Sequence, residues 1–303
     1  MTRINLAGMD GSNPLGFLAA LGLLRVLPDA RLGFSKDGSY RAFVDGFNGG
    51  EGALAALIAD DARGAEAKSA AWRFSYTKAA TKKQGPQEVA DLKPSPEDFK
   101  NFLAICVDRW LSGDEEAAAY AAAYASDVAT DNKGNTKPTA LHFTAAQQTF
   151  LGTVESIRAS VTQQWVEKSL FEGHGEEAGS NLRWDPGSER NWALMANNPA
   201  GDGTRVDAPM EWLAFRGLPL LPSFPRGTRI LTTGVVGRGD DMSFTWPLWS
   251  VSASRQAARS ALQIDWTGRV KDRAARGIFA ICTSAIRRTS QGFGNFGPSS
   301  VAT

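Results

Sequence analysis

Apolar positions along this chain fall into two helical patterns, one almost continuous and one spaced close to the helical repeat. Over residues 14–24 they are almost continuous: Leu15, Leu18, Leu21, Leu23 and Leu24, with Gly16, Ala19, Ala20 and Gly22 between them. Such a run predicts a closely packed buried helix. Ser12 or Asn13 is placed to cap it, Pro14 is pre-set for its first turn, and Pro28 lies beyond its end. Phe150, Leu151, Val154, Ile157, Val161 and Trp165 keep close to a 3.6-residue spacing. They predict one long helix, capped by Thr144 and running to about residue 171. Shorter helices are expected over 51–63, 97–112, 114–126, 210–215 and 252–262.

Strands are expected at 3–8, 71–77, 229–236, 242–249 and 276–286. Segments 31–35 and 39–44 read as a pair around Lys36-Asp37-Gly38, where Asp-Gly suits a tight turn. Residues 78–96 read as a mobile basic loop, 131–138 as a polar connector and 172–181 as an acidic surface loop. The reading is an α+β fold: mixed helices, antiparallel sheet elements and a glycine-rich C-terminal segment. Two regions are expected, 1–175 and 176–303, possible to pack as one unit.

The chain has 303 residues and 43% apolar content, enough for a large core in one or two domains. No basic-then-apolar leader opens it, and the apolar run at 14–24 is too short to span a bilayer. A soluble cytoplasmic protein without a membrane partner is expected. Cys106 and Cys282 fit a reducing compartment better than a disulfide framework.

Net charge is only +1, yet it is unevenly spread. Residues 101–200 hold 7 Lys/Arg against 13 Asp/Glu, and residues 201–303 hold 13 against 7. Between Arg255 and Arg288 the excess sharpens to eight basic against two acidic residues. Such polarity makes a local positive surface without a high overall charge, suited to an anionic partner or an acidic protein neighbour.

Catalytic chemistry is poorly supplied. The two histidines, His142 and His174, have no second histidine or Cys pair at metal-binding spacing. Both cysteines sit in apolar segments, as small buried hydrophobes do. Asp240-Asp241 follows Gly237-Arg238-Gly239, a setting for a solvated turn. The Gly11–Gly16 segment lacks the lysine of a phosphate loop, although a helix start can hold one phosphate on its amides. The expectation is a protein that is not an enzyme, with no catalytic residues, no metal and no cofactor.

Nucleic-acid binding is better supplied. Lys78, Lys82 and Lys83 sit among flexible polar residues and can neutralise phosphate without fixed geometry. Lys133, Asn135 and Lys137 form a second set. Arg269, Arg273 and Arg276 share roughly one face if helical, and Arg255 and Arg259 extend that track. At the C-terminus, Arg287, Arg288, Gln291 and Asn295 combine phosphate contacts with side chains that read base edges. Phe293 and Phe296 between glycines suit either base stacking or core filling.

Gly11-Ser12-Asn13-Pro14-Leu15-Gly16-Phe17-Leu18-Ala19-Ala20-Leu21-Gly22 resembles the N-terminal signature of large subunits of type I CRISPR interference complexes (Cascade). Leu141-His142-Phe143-Thr144-Ala145, Trp212-Leu213-Ala214-Phe215, Trp246-Pro247-Leu248-Trp249 and Gln291-Gly292-Phe293-Gly294-Asn295-Phe296 resemble compact type I-G (formerly I-U) associated proteins. The resemblance extends over most of the chain, which is short for a large subunit. It implies a non-catalytic subunit of a guide-RNA surveillance complex in antiviral defence. Such a subunit helps recognise the protospacer-adjacent motif in target double-stranded DNA and stabilises DNA opening. Its partners would be guide-RNA-bound backbone subunits and a separate helicase-nuclease. Two alternatives stand beside it: a structural assembly protein without direct DNA reading, and a guide-RNA processing nuclease using His142.

Overall fold

Alternating burial along Arg3–Asp10 makes the first strand, β1. In this computed structural model, which describes residues 3–68, 72–78, 85–145, 147–173, 177–188, 205–289 and 292–303, the chain turns from β1 directly into helix α1 (Pro14–Val26). Asn13 caps that helix, accepting from the Leu15 and Gly16 amides, with Pro14 in the first turn. Strands β2 (Arg31–Phe34) and β3 (Arg41–Asp45) pair antiparallel, and β1 joins them in the order β1-β3-β2. Their turn is closed by Asp37, whose carboxylate accepts from the Ser39 amide, with Gly38 at φ +86°.

Helix α2 (Glu51–Lys68), strands β4 (Tyr76–Lys78) and β5 (Gln87–Val89), and helices α3 (Pro96–Leu111) and α4 (Glu115–Tyr124) follow. β4 and β5 pair as a short hairpin, so ordered strands flank the segment expected to be a basic loop. The expected 131–138 connector is likewise half of a hairpin, β6 (Ala125–Thr130) with β7 (Thr136–Pro138).

The helix expected to run unbroken to residue 171 is divided. It comprises α5 (Phe150–Ser160), α6 (Gln163–Glu167) and a π-helical turn over Lys168–Glu172. Thr162 caps α6 by accepting from the Trp165 amide, and this local hydrogen bond competes with continued helix. Thr144 is not the cap of α5. The α5 amides of Phe150, Leu151 and Gly152 donate to the Asp91 carboxylate and the Ala90 carbonyl, 59 to 62 residues away in sequence.

Strands β8 (Glu177–Ala178) and β9 (Arg205–Val206) form a small pair before helix α7 (Ala208–Gly217). A hairpin of β10 (Ser223–Arg226) and β11 (Arg229–Thr232) leads to β12 (Val235–Val236) and β13 (Ser243–Trp249). Helices α8 (Arg255–Leu262) and α9 (Val270–Ala275) precede the long β14 (Ile278–Arg288) and β15 (Gly294–Ala302). These complete an antiparallel sheet ordered β12-β13-β14-β15. The glycine-rich C-terminal segment is therefore strand. Pro298 is tolerated because β15 lies at the sheet edge. The architecture is α+β.

One continuous core runs from Ile4 to Phe296 and draws on both regions, 1–175 and 176–303. Its centre is α1, buried from Pro14 to Leu24, lying against α7. Glycine permits this approach: a Cβ at Gly22 would stand 1.8 Å from the Leu213 carbonyl oxygen, and one at Gly217 2.4 Å from that of Leu18. Phe17, Phe34, Phe244, Trp246 and Trp249 pack on one side of α1. The Trp246 and Trp249 indoles donate to the Gly11 and Leu32 carbonyls at 2.8 Å, tying the C-terminal sheet to the N-terminal one. No helix among the described residues is long and apolar enough to cross a membrane.

Candidate nucleic-acid interface

The β6–β7 hairpin owes its shape to Asp131. Its carboxylate accepts from the Lys133 and Asn135 amides at 2.8 and 2.9 Å, and Gly134 takes φ +82°. Lys133 is thereby presented at an exposed tip. Lys137 reaches across to the next hairpin, where its ammonium donates to the Thr228 carbonyl at 2.5 Å. Thr228 lies in the tip joining β10 to β11, between the directly facing Arg226 and Arg229.

β7 rests on residues 92–94, since the Thr136 amide donates to the Pro94 carbonyl. That contact brings Lys93 beside Lys133. The half-buried Lys93 ammonium is held below its ordinary value, first by burial and also by the like charges of Arg288 and Lys133, against Asp91 and Asp131. Three cations distant in sequence, Lys93, Lys133 and Arg288, thus converge.

Arg287 and Arg288 are neighbours in β14, so their side chains leave opposite faces of the sheet. Arg288 turns toward the 140–143 segment. Its guanidinium donates to the Ala140 carbonyl at 2.9 Å and the His142 carbonyl at 3.2 Å, and lies over the Phe143 ring. Arg287 takes the other face, directly across from Asn295. Its guanidinium lies along Gly297, where an added Cβ would come 3.3 Å from Nε. Phe296 fills the core against Phe143 and Phe244. Phe293 remains half-buried, with the Arg183 guanidinium 4.4 Å from its ring centre.

Arg269, Arg273 and Arg276 gather at the opposite end of β14. Helix α9 supplies only Val270–Ala275, with Arg269 and Arg276 as its flanking caps. Arg269 lies 3.8 Å from Asp272, and Arg276 stands over Trp266. Ten residue steps separate Ile278 from Arg288, about 33 Å at the usual strand rise. The candidate contacts at the two ends of β14 therefore form two basic regions. Lys78 is exposed on β4, across from Gln87. Lys82, Lys83 and Gln291 lie outside the described residues, as does His174.

Sequence reasoning missed Lys93, Arg226 and Arg229. The hairpin tip Arg226-Gly227-Thr228-Arg229 carries a legible turn signal between facing arginines. Lys93 has no local signal, because its neighbours come from 40 and 195 residues downstream.

His142 is 2% exposed and stacked on Phe150, with Nε2 2.9 Å from the Asp91 carboxylate. Burial holds the imidazole below its ordinary value, against the opposing pull of Asp91. The pair fixes the start of α5. The buried thiols of Cys106 and Cys282 are pushed up by burial, to about 11 and about 12, away from nucleophilic reactivity at neutral pH. Asp240 and Asp241 sit in an exposed single turn. Among the described residues, no group of three or more His, Cys, Asp or Glu side chains is placed to hold a metal ion.

Compared with family models, curated proteins and solved structures, the chain matches none.

Proposed function

We propose that this chain is a non-catalytic, DNA-binding subunit of a type I CRISPR guide-RNA surveillance complex. In this reading it helps recognise the protospacer-adjacent motif and stabilises the opened duplex. The observation that carries the reading is the convergence of Lys93, Lys133 and Arg288 beside the Arg226–Arg229 hairpin tip. Lysine and arginine held on hairpins are phosphate-positioning groups. The Arg287–Asn295 pair adds side chains able to read a base edge. The second basic region, about 33 Å away, is separated by roughly one helical turn of B-form DNA. Arg269, Arg273 and Arg276 would meet phosphates or a displaced strand there. Sequence recognition would be left to guide pairing, with the protein reading the short motif. The resemblance of the Gly11–Gly22 signature supports the assignment.

The test is duplex binding by guide-loaded complexes assembled with and without this chain, over randomised motifs and several salt concentrations. Motif-dependent affinity that requires the chain is expected. Equal affinity and motif preference in its absence would overturn the reading.

One observation favours the alternative of an assembly protein. Helix α3 presents Ile105, Val107, Trp110 and Leu111 at 50% exposure or more. In that reading Val107, Trp110 and Leu111, on one side of α3, pack on a guide-RNA-bound backbone subunit, and Trp110→Ser removes the chain from the complex without altering DNA affinity of what assembles.

A further inference from the structure

A cleft beside the C-terminal end of α1 contains arginines whose donors are incompletely partnered among the described residues. It lies between α4, the 219–222 segment and the start of α8, and encloses about 570 Å³. Small-ligand sites typically span roughly 300–1,000 Å³. Arg25, Arg255 and Arg259 line it together with Asp114, Glu115, Glu116 and Gln256. Ala119, Ala122, Pro219, Leu220 and Pro222 supply an apolar wall.

Two of the three carboxylates are already paired, one of them with Arg25 itself. Asp114 is bound by Arg109. Glu116 bridges Arg25 at 2.5 Å and Arg216 at 3.1 Å, and Arg216 is also held by Asp61. Glu115 alone lacks an ion pair among the described residues. The cations are less well served. The Arg25 side chain is only 6% exposed, and its buried Nε has no hydrogen-bond partner among the described residues. Arg255 and Arg259, one turn apart on α8, have no carboxylate partner there either. Arg255 also opens α8, where the helix dipole opposes a cation, and the first turn of α8 contains no acid. Burial holds the Arg25 guanidinium below its ordinary value, and the like charges of Arg216 and Arg255 add to the effect against Glu116. Buried donors left without acceptors are costly. A bound anion would relieve all of these at once.

We propose that this cleft binds a small phosphorylated molecule of nucleotide size, with its phosphate on Arg25, Arg255 and Arg259. Guanidinium forks match phosphate oxygens in pairs. The volume exceeds what a bare phosphate fills, and the proline-leucine-alanine wall accommodates an apolar or planar body. Because Arg25 is so deeply set, its fork is reached through the cleft and not from the outer surface of a duplex. The site does not depend on the nucleic-acid reading above.

The experiment is calorimetric titration of the full chain with adenosine 5′-monophosphate, inorganic phosphate and adenosine at fixed ionic strength. The nucleotide is expected to bind saturably, about tenfold tighter than phosphate, which lacks the body. Adenosine, lacking the charge, is expected not to bind. Replacing Arg255 and Arg259 together by alanine should weaken the nucleotide about 100-fold, roughly tenfold for each lost charged hydrogen bond. Both side chains lie at the cleft mouth, so thermal melting confirms that the double variant folds. Arg25→Lys, which keeps the charge but removes the fork, should weaken binding less. No saturable binding of the nucleotide at millimolar concentration would overturn the proposal. So would nucleotide affinity unchanged in the folded double variant. Equal affinity for phosphate and nucleotide would overturn the ligand class and leave an inorganic-anion site.

Discussion

The α1–α7 junction and the basic rim around Lys93 are built on opposite terms. At the junction, backbones approach so closely that only glycine fits, and several nearby polar groups are buried with partners. Arg216 meets Asp61, Glu116 and Tyr120; the Trp212 indole donates to Asp61 at 3.0 Å; Glu211 accepts from the Leu182 amide at 3.3 Å. At the rim, Lys133 is exposed and Lys93 stands within reach of both Lys133 and Arg288, with Asp91 and Asp131 nearby. The first arrangement converts side-chain identity into stability. The second leaves charge unspent, which is what an anionic partner requires. The junction should therefore respond to substitution in folding free energy, and the rim in salt-dependent binding.

The strongest way to break the junction is Gly22→Val. A Cβ there falls within 1.8 Å of a carbonyl oxygen on rigid helix α7, so the helices must separate. A loss of roughly 4 kcal/mol in urea unfolding is expected, at the upper end of overpacking effects. Unfolding free energy within error of the parent would show that the two helices are not tightly apposed.

Glu211 gives the junction a pH signature. It is 2% exposed, and burial raises its carboxyl to about 8; Asp185 and Asp207 add to the rise, and backbone donors oppose it. The folded state thus keeps a proton that the unfolded state releases near its ordinary value. Its contribution is complete below that ordinary value and is lost as pH rises toward about 8. Glu211→Gln cannot ionise. The variant should gain on the parent by about 4 kcal/mol between about pH 5 and about pH 9. A stability difference that stays flat over that range would mean Glu211 is charged in the fold.

Arg288 combines both kinds of role within the rim and sharpens the contrast. Its guanidinium anchors the Ala140 and His142 carbonyls while its charge joins Lys93 and Lys133. Arg288→Ala should cost about 1.5 kcal/mol of stability, from lost charged hydrogen bonds in a partly exposed setting, and also weaken DNA binding. Arg273→Ala, on a six-residue helix without such anchors, should leave stability within about 0.5 kcal/mol. Equal stability losses at the two positions would erase the distinction between an anchored and an open arginine.

Much of the junction was legible in the chain, and little of the rim. Asn13-Pro14 announces α1 because a cap and its proline act within three residues, and Asp37-Gly38 announces the β2–β3 turn for the same reason. The buried helix and the small residues that let it pack are visible together in 14–24. Where a partner far along the chain decides, the local pattern misleads. Residues 294–302 carry turn-formers, yet pairing with Ile278–Arg288 makes them a strand. Thr144 has the right chemistry for a cap, yet Asp91 and Ala90 satisfy the α5 amides. Arg287 and Arg288 look like one site, yet strand alternation sends them to different faces. Lys93 stands alone in sequence and acquires its neighbours only through the β6–β7 hairpin.

The smallest effect on stability should come from the rim itself. The Lys93 and Lys133 ammonium groups donate no hydrogen bond to the fold among the described residues, and the like charges of Arg288 and Lys133 at Lys93 are set against Asp91 and Asp131, so Lys93→Ala with Lys133→Ala should change unfolding free energy by no more than about 0.5 kcal/mol. If each lysine neutralises one phosphate, the slope of log affinity against log salt should fall by about 1.8 for the double variant, with losses similar across DNA sequences. Removing Arg269, Arg273 and Arg276 should lower the slope independently, because those groups lie at the other end of β14, and the two sets of losses should add. Asn295→Ala should instead alter motif preference while leaving the slope unchanged. A salt slope that ignores the lysine pair would remove the rim from the DNA path and leave the charge there to a protein neighbour.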